Sequence, residues 1–275
     1  MEKEGSMRID VLTLFPQMFA PILEESILGR AQKEGLLEIR VHDIRDYTLD
    51  KHRKTDDYPF GGGAGMVLYP QPVSRALASV GAKPGRIIYM SPRGRLLTQE
   101  RIEKMAAEQE DFTILCGHYE GVDQRALDYW QMEEISIGDY ILTGGELPAM
   151  VLIDGLARFV PGVLGNNQAH REESICSGLL EYPQYTKPRQ WEGMQVPPVM
   201  LSGHHKNIHL WQFEQSLGLT YERRPDLFGS FLRERAGSLS REEKKVLEGF
   251  LEEKAREERS MKAPCEKQNE EKGNP

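Results

Sequence analysis

Residues 115–148 of this chain read LCGHYEGVDQRALDYWQMEEISIGDYILTGGELP, which sets two glycine-marked loops, each behind an apolar strand-like run, within one short stretch. Gly117 and Gly121 bracket His118, Tyr119 and Glu120. Gly138, Gly144 and Gly145 bracket Asp139, Tyr140, Ile141, Leu142 and Thr143. Glycine lets backbone N–H and C=O groups approach a ligand with no Cβ in the way. Two such loops at the ends of neighbouring strands make a pocket for a flat, polar cofactor. Its walls are largely main chain.

The surrounding pattern supplies the strands. Runs rich in β-branched residues at 9–15, 36–44, 86–90, 112–116 and 135–142 read as strands. Helical stretches at 16–33, 70–80 and 98–108 alternate with them, the last with Thr98 as its N-cap and Arg101 in third position. Alternation of this kind argues for an α/β domain with a mostly parallel sheet. Its ligand crevice then lies beyond the carboxyl ends of the strands, where both glycine loops fall. Residues 147–160 are nearly all apolar apart from Asp154 and Arg158, with Pro148 suited to a first turn, and read as a buried helix ending at Pro161-Gly162.

After this first domain, residues 1–164, the Gly/Asn-rich stretch 165–172 reads as a flexible linker. Residues 173–253 read as a small helical domain, with helices expected at 175–180, 208–217 and 241–250 and a further stretch at 220–232. From 254 to 275 the chain is charged and poor in apolar residues, the composition of a disordered tail.

Composition narrows the function classes. Of 275 residues, 39% are hydrophobic and 28% charged, the balance of a globular protein with ample core. No run approaches the roughly 18 apolar residues that span a bilayer, and MEKEGSMRID lacks a signal peptide's apolar centre. Met7 opens the first strand, so residues 1–6 read as an extension or an alternative start. Three widely spaced cysteines, Cys116, Cys176 and Cys265, argue against a disulfide framework and suit a reducing cytoplasm. A net charge of −8 weighs against indiscriminate nucleic-acid binding while leaving local basic clusters such as Lys187/Arg189 and His204-His205-Lys206 in play.

Other motifs carry two readings each. The PFGGGAGM run at 59–66 is a loop by composition. It lacks the Lys-Ser/Thr of a phosphate loop and the GxGxxG of a dinucleotide fold. Residues 89–94, YMSPRG, fit an ordinary turn after a strand as well as a ligand contact. Arg158 suits an i,i+4 pair with Asp154 or, beside a cofactor pocket, a cation facing developing negative charge. Glu172 and Glu173 suit a helix start on macrodipole grounds alone. The seven histidines show no metal-ligand spacing.

Taken in order, these motifs resemble the bacterial tRNA (guanine-N1)-methyltransferase family, TrmD. The resemblance runs from Met7 to about Phe250. It rests on IDVLTLFP at 9–16, the 59–66 run, YMSP at 89–92, CGHYEGVD at 116–123, residues 136–148, RFVPGVLG at 158–165, YTKP at 185–188 and PPVMLSGH at 197–204. It implies a SPOUT-type α/β sheet domain with a deep trefoil knot in its carboxyl-terminal part, then a small, mostly helical domain. It also implies a homodimer sharing each active site between subunits, S-adenosylmethionine as cofactor and tRNA as substrate. By matching positions the cofactor meets Tyr89, Met90, Pro92, Gly117, Tyr119, Glu120, Ser136, Ile137, Gly138, Asp139, Tyr140, Ile141, Leu142, Gly144, Gly145 and Pro148.

The implied reaction methylates N1 of the guanine immediately 3′ of the anticodon. A carboxylate takes the N1 proton while an Arg steadies the charge moving to O6. These roles match Glu173, where the family usually has Asp, and Arg158. Lys187, Arg189 and Lys206 are candidate tRNA contacts. Magnesium is a further expectation, without a ligand cluster in the sequence to hold it. Two alternatives stand beside this: another SPOUT RNA methyltransferase, and a non-catalytic RNA-binding module.

Overall fold

The structure, a computed structural model, describes residues 7–108, 110–164, 175 and 177–270, with the side chains of 258 and 261–270 excepted. The chain divides between 167 and 168 into two compact units.

The first unit is built on a five-stranded sheet. In chain order its elements are β1 (Met7–Thr13), α1 (Ala20–Glu24), α2 (Ser26–Lys33), β2 (Leu37–Asp43), the two-residue strands β3 (Asp56–Asp57) and β4 (Val67–Leu68), α3 (Pro70–Ser79), β5 (Ile87–Leu96), α4 (Gln99–Ala107), β6 (Phe112–Cys116), α5 (Gln124–Tyr129), β7 (Glu133–Ser136) and α6 (Glu146–Ala157). The sheet order is β2-β1-β6-β5-β7, every pairing parallel. Both faces are covered, which is why β6 is buried at all five positions.

Strand alternation sorts the core into two layers. Ile9, Val11, Ile88, Met90, Ile114 and Cys116 join one cluster with α2, α4 and α6. Leu12, Ile87, Tyr89 and Leu115 join the other with α3 and α5. The expected N-cap holds: Thr98 Oγ1 accepts from Arg101 N–H.

Several expectations need correction. Residues 16–33 do not form one helix. A 3₁₀ turn (Pro16–Met18), α1 and α2 follow one another, because Pro21 sits at the start of α1 and Ser26 takes a φ of 54°. Strand β7 ends at Ser136, and Gly138 (φ 156°) turns the chain aside where residues through 142 were expected to stay extended. Residues 175 and 177–180 form a turn, not a helix: Gly178 has a φ of 85°, and its N–H bonds Ile175 O. Helix α5 and the β3–β4 pair had no sequence signal strong enough to read.

The second unit holds a short hairpin, β8 (Gln190–Trp191) and β9 (Met194–Gln195), and three helices, α7 (His205–Arg223), α8 (Pro225–Glu234) and α9 (Arg241–Glu270). Leu217, Phe228, Phe231, Leu247 and Phe250 form its core, with Leu179 against them. Tyr221 packs edge-on to Phe228 and Phe250. The 254–275 tail expected to be disordered is helical to Glu270, with the charge pairs Lys254–Glu257 and Arg256–Glu252 near its start. Among the described residues no helix is long and apolar enough to cross a membrane.

Candidate active site

Beyond the carboxyl ends of β5, β6 and β7 lies a cleft of about 330 Å³, within the size range of small-molecule sites. Three segments wall it. The first is β5 itself, which slips register against β7 between Met90 and Arg95. This bulge throws Ser91, Pro92 and Arg93 into the cleft. Gly94 makes the return possible, since a Cβ there would come within 2.3 Å of the Glu134 carbonyl carbon. Arg93 then clasps the Glu134 carboxylate, two nitrogens at 3.1 Å.

The second and third walls are the two glycine loops, and they interlock. Gly145 N–H donates to Gly117 O at 2.9 Å, and His118 bridges Gly144 as an isolated antiparallel pair. A Cβ on Gly145 would meet the Cys116 backbone at 2.8 Å. One on Gly117 would meet the Tyr89 ring at 2.6 Å. Glycine is required here for close passage of chain over chain. Tyr119 holds a left-handed φ of 60°, strain of a kind that gathers at functional sites. Ser136 Oγ accepts from Gly138 N–H, pinning the third wall.

Apolar groups face the opening: Tyr140 is 54% and Ile141 79% exposed. A flat ligand with polar edges fits such a cradle, its face against those side chains and its edges against main-chain groups. Burial, with Glu134 adding, raises the Tyr89 hydroxyl above its ordinary range. Burial pushes the Cys116 thiol well up, so that cysteine is inert packing.

Of the positions expected to meet the cofactor, all but Asp139 line this one cleft. Ser91, Arg93, Gly121, Val122, Ile135 and Thr143 line it as well and were not among those positions. The sequence reading gave no role to His118, which lines the cleft and whose ring pairs with the buried Glu146. Glu146 reads in sequence as an unremarkable acid in a helix's first turn.

The model of the family described as tRNA (Guanine-1)-methyltransferase TrmD matches residues 7–230. Among similar curated proteins, the tRNA (guanine-N(1)-)-methyltransferase of Ruminiclostridium cellulolyticum is 55% identical over 226 residues, covering 81% of this chain and 96% of its own. That of Clostridium acetobutylicum is 49% identical over 242 residues, covering 88% and 96%. That of Staphylococcus carnosus is 47% identical over 245 residues, covering 89% and 97%. The chain belongs to the TrmD family.

In this TrmD-family chain the remaining expected residues lie apart from the cleft or outside what is described. Arg158, half-buried, follows α6 and is not among the cleft's lining residues. Pro148 reaches the cleft from the other end of that helix, roughly 15 Å of helix axis away. Glu172, Glu173 and the linker 165–172 lie outside the described residues. In the second unit Lys187 and Arg189 are exposed, and Lys206 pairs with Glu242 at 2.8 Å. Among the described residues, no group of three or more His, Cys, Asp or Glu side chains is arranged to hold a metal ion.

Proposed function

We propose that this tRNA (guanine-N1)-methyltransferase takes its methyl group from S-adenosylmethionine held in the glycine-walled cleft and delivers it to N1 of the guanine immediately 3′ of the anticodon. The observation that carries the reading is the cleft itself. A bulged β5 and two interlocked glycine loops leave main-chain donors and acceptors facing a slot with apolar lips. The residues that hold the cofactor are Tyr89, Met90, Pro92, Gly117, Tyr119, Glu120, Ser136, Ile137, Gly138, Tyr140, Ile141, Leu142, Gly144, Gly145 and Pro148. When bound, the cofactor supplies an electrophilic methyl group on a sulfonium.

The protein's own work is on the purine. Guanine N1 carries a proton at neutral pH and is a poor nucleophile until a carboxylate removes it. Glu173 is that base. Charge then gathers on O6, where the Arg158 guanidinium stabilises it. Glu has the carboxylate chemistry of the usual Asp on a side chain one methylene longer.

Arg158 does not line the cleft of its own chain, which supports a site completed by a second copy. Leu147 and Val151, exposed one turn apart on α6, offer that copy an apolar stripe. The passage of Gly145 against Gly117 and Cys116 supports a SPOUT-type trefoil knot. Exposed Lys187 and Arg189 are candidate tRNA contacts. Lys206 joins them on exchanging Glu242 for a phosphate. The cytoplasm, where tRNA is modified, is the expected compartment, and any magnesium acts at a place the described residues do not mark.

Mass spectrometry of nucleosides from unmodified tRNA, incubated with the protein and S-adenosylmethionine, tests this. 1-Methylguanosine is the expected product. A methylated ribose, another base or no product overturns the reading.

A further inference from the structure

The methyl-transfer reading makes no use of a buried carboxylate that pairs with His118 of the cleft lining. Glu146 is 1% exposed, with one oxygen accepting from Thr13 Oγ1 at 2.5 Å and the other 2.7 Å from His118 Nε2. Phe15 N–H donates to the Thr13 hydroxyl oxygen at 2.9 Å, which leaves the hydroxyl hydrogen for Glu146. The Phe15 ring packs on the imidazole at 4.6 Å between centroids. Behind it, the bare Cα of Gly144 leaves no room for more than hydrogen: a Cβ there would lie 2.4 Å from both Cε1 and Nε2.

The ring is therefore held in one orientation. In the neutral imidazole, donation from Nε2 to Glu146 leaves Nδ1 as an acceptor. Nδ1 has no hydrogen-bond partner among the described residues, and His118 lines the cleft. A pre-set acceptor in a ligand cleft calls for a donor on the ligand.

We propose that His118 is a cofactor-binding residue: Glu146 and Thr13 orient its ring so that Nδ1 accepts a hydrogen bond from an N–H of the bound cofactor. That N–H is the adenine amine or the ammonium of the amino-acid end. Glu146 and Thr13 act through His118 as positioning residues. The inference rests on the cofactor reading above.

Titration calorimetry of the full chain with S-adenosylmethionine, paired with thermal melting, tests it. His118→Gln keeps an amide nitrogen near the Nε2 position for Glu146 and has nothing at Nδ1. It is expected to melt close to wild type and to bind about tenfold more weakly, the scale of one lost hydrogen bond. Glu146→Gln donates to Nε2 and moves the ring proton to Nδ1, with a similar loss. The double variant is expected to be no weaker than either single one, as for groups acting in series.

Repeating the titration with methylthioadenosine, which lacks the amino-acid end, separates the two donors. A loss that persists assigns the adenine amine, and one that disappears assigns the ammonium. If His118→Gln binds as tightly as wild type, the inference fails and the cofactor reading stands. Should that variant melt far lower, Glu146→Gln decides, and unchanged affinity there overturns the inference. If the wild-type chain binds no cofactor, both readings fail.

Discussion

The Glu120 carboxyl fills the space that a side chain on Gly65 would need: a Cβ built there lies 2.4 Å from Glu120 Oε1. Glu120 N–H also donates to Met66 O at 2.9 Å. The glycine run at 59–66, a loop by composition, is thereby tied to a wall of the cleft.

Gly65→Ala is expected to displace Glu120 and weaken cofactor binding about tenfold, with a stability cost of about 1–2 kcal/mol from its φ of 92°. Gly62→Ala is the control. Its φ of 80° is equally unfavourable, yet nothing lies within 4 Å of its Cβ position. Calorimetry is expected to give wild-type affinity for this variant, with only the melting temperature lowered.

Glu173→Ala is expected to reduce single-turnover methyl transfer by about 10²–10⁴-fold, the usual worth of a general base, and to leave cofactor affinity unchanged. Glu172→Ala should retain near-normal turnover. The opposite pattern in a rapid-quench assay would move the base by one residue.

The separation of Arg158 from its own cleft gives a complementation test. Arg158→Ala and Gly145→Val are each expected to be inactive as pure proteins, the second because a side chain there collides with the Cys116 backbone. Randomly mixed subunits should recover about a quarter of wild-type activity, since half the dimers carry one intact shared site. No recovery would mean that each chain builds its site alone.

Asp226 contributes to the acid sensitivity of the second unit. Its hydrogen bonds from Arg224, at 2.6 and 2.9 Å, hold the carboxyl at about 2 against an ordinary 3.8. A folded-state value below the unfolded one stabilises fully above the unfolded value, and that contribution fades as pH falls through the folded value. Asp226→Asn should therefore melt below wild type at pH 6, the gap narrowing as pH drops from about 4 toward 2. Differential scanning calorimetry across that range measures it. Both groups are exposed, so the gap should be small and shrink with salt.

Local chemistry made much of this protein legible from residues alone. Runs of β-branched residues placed β6 to the residue and β2 to within one, while β1 begins and ends two residues earlier than its run; β6, buried on both faces, leaves a continuous apolar signature. The two glycine loops named the cleft before any coordinate did, because close backbone passage tolerates no other residue there. The breaks were harder. Ser26 and Ile175 take positive φ that no local propensity records, and β5 hides its four-residue bulge inside an apparently ordinary turn. The pairing of Thr13, His118 and Glu146, more than a hundred residues apart at its ends, belongs to tertiary structure alone. A buried carboxylate finds its partners in space, where burial makes an unpaired charge costly, and sequence spacing carries no trace of that search.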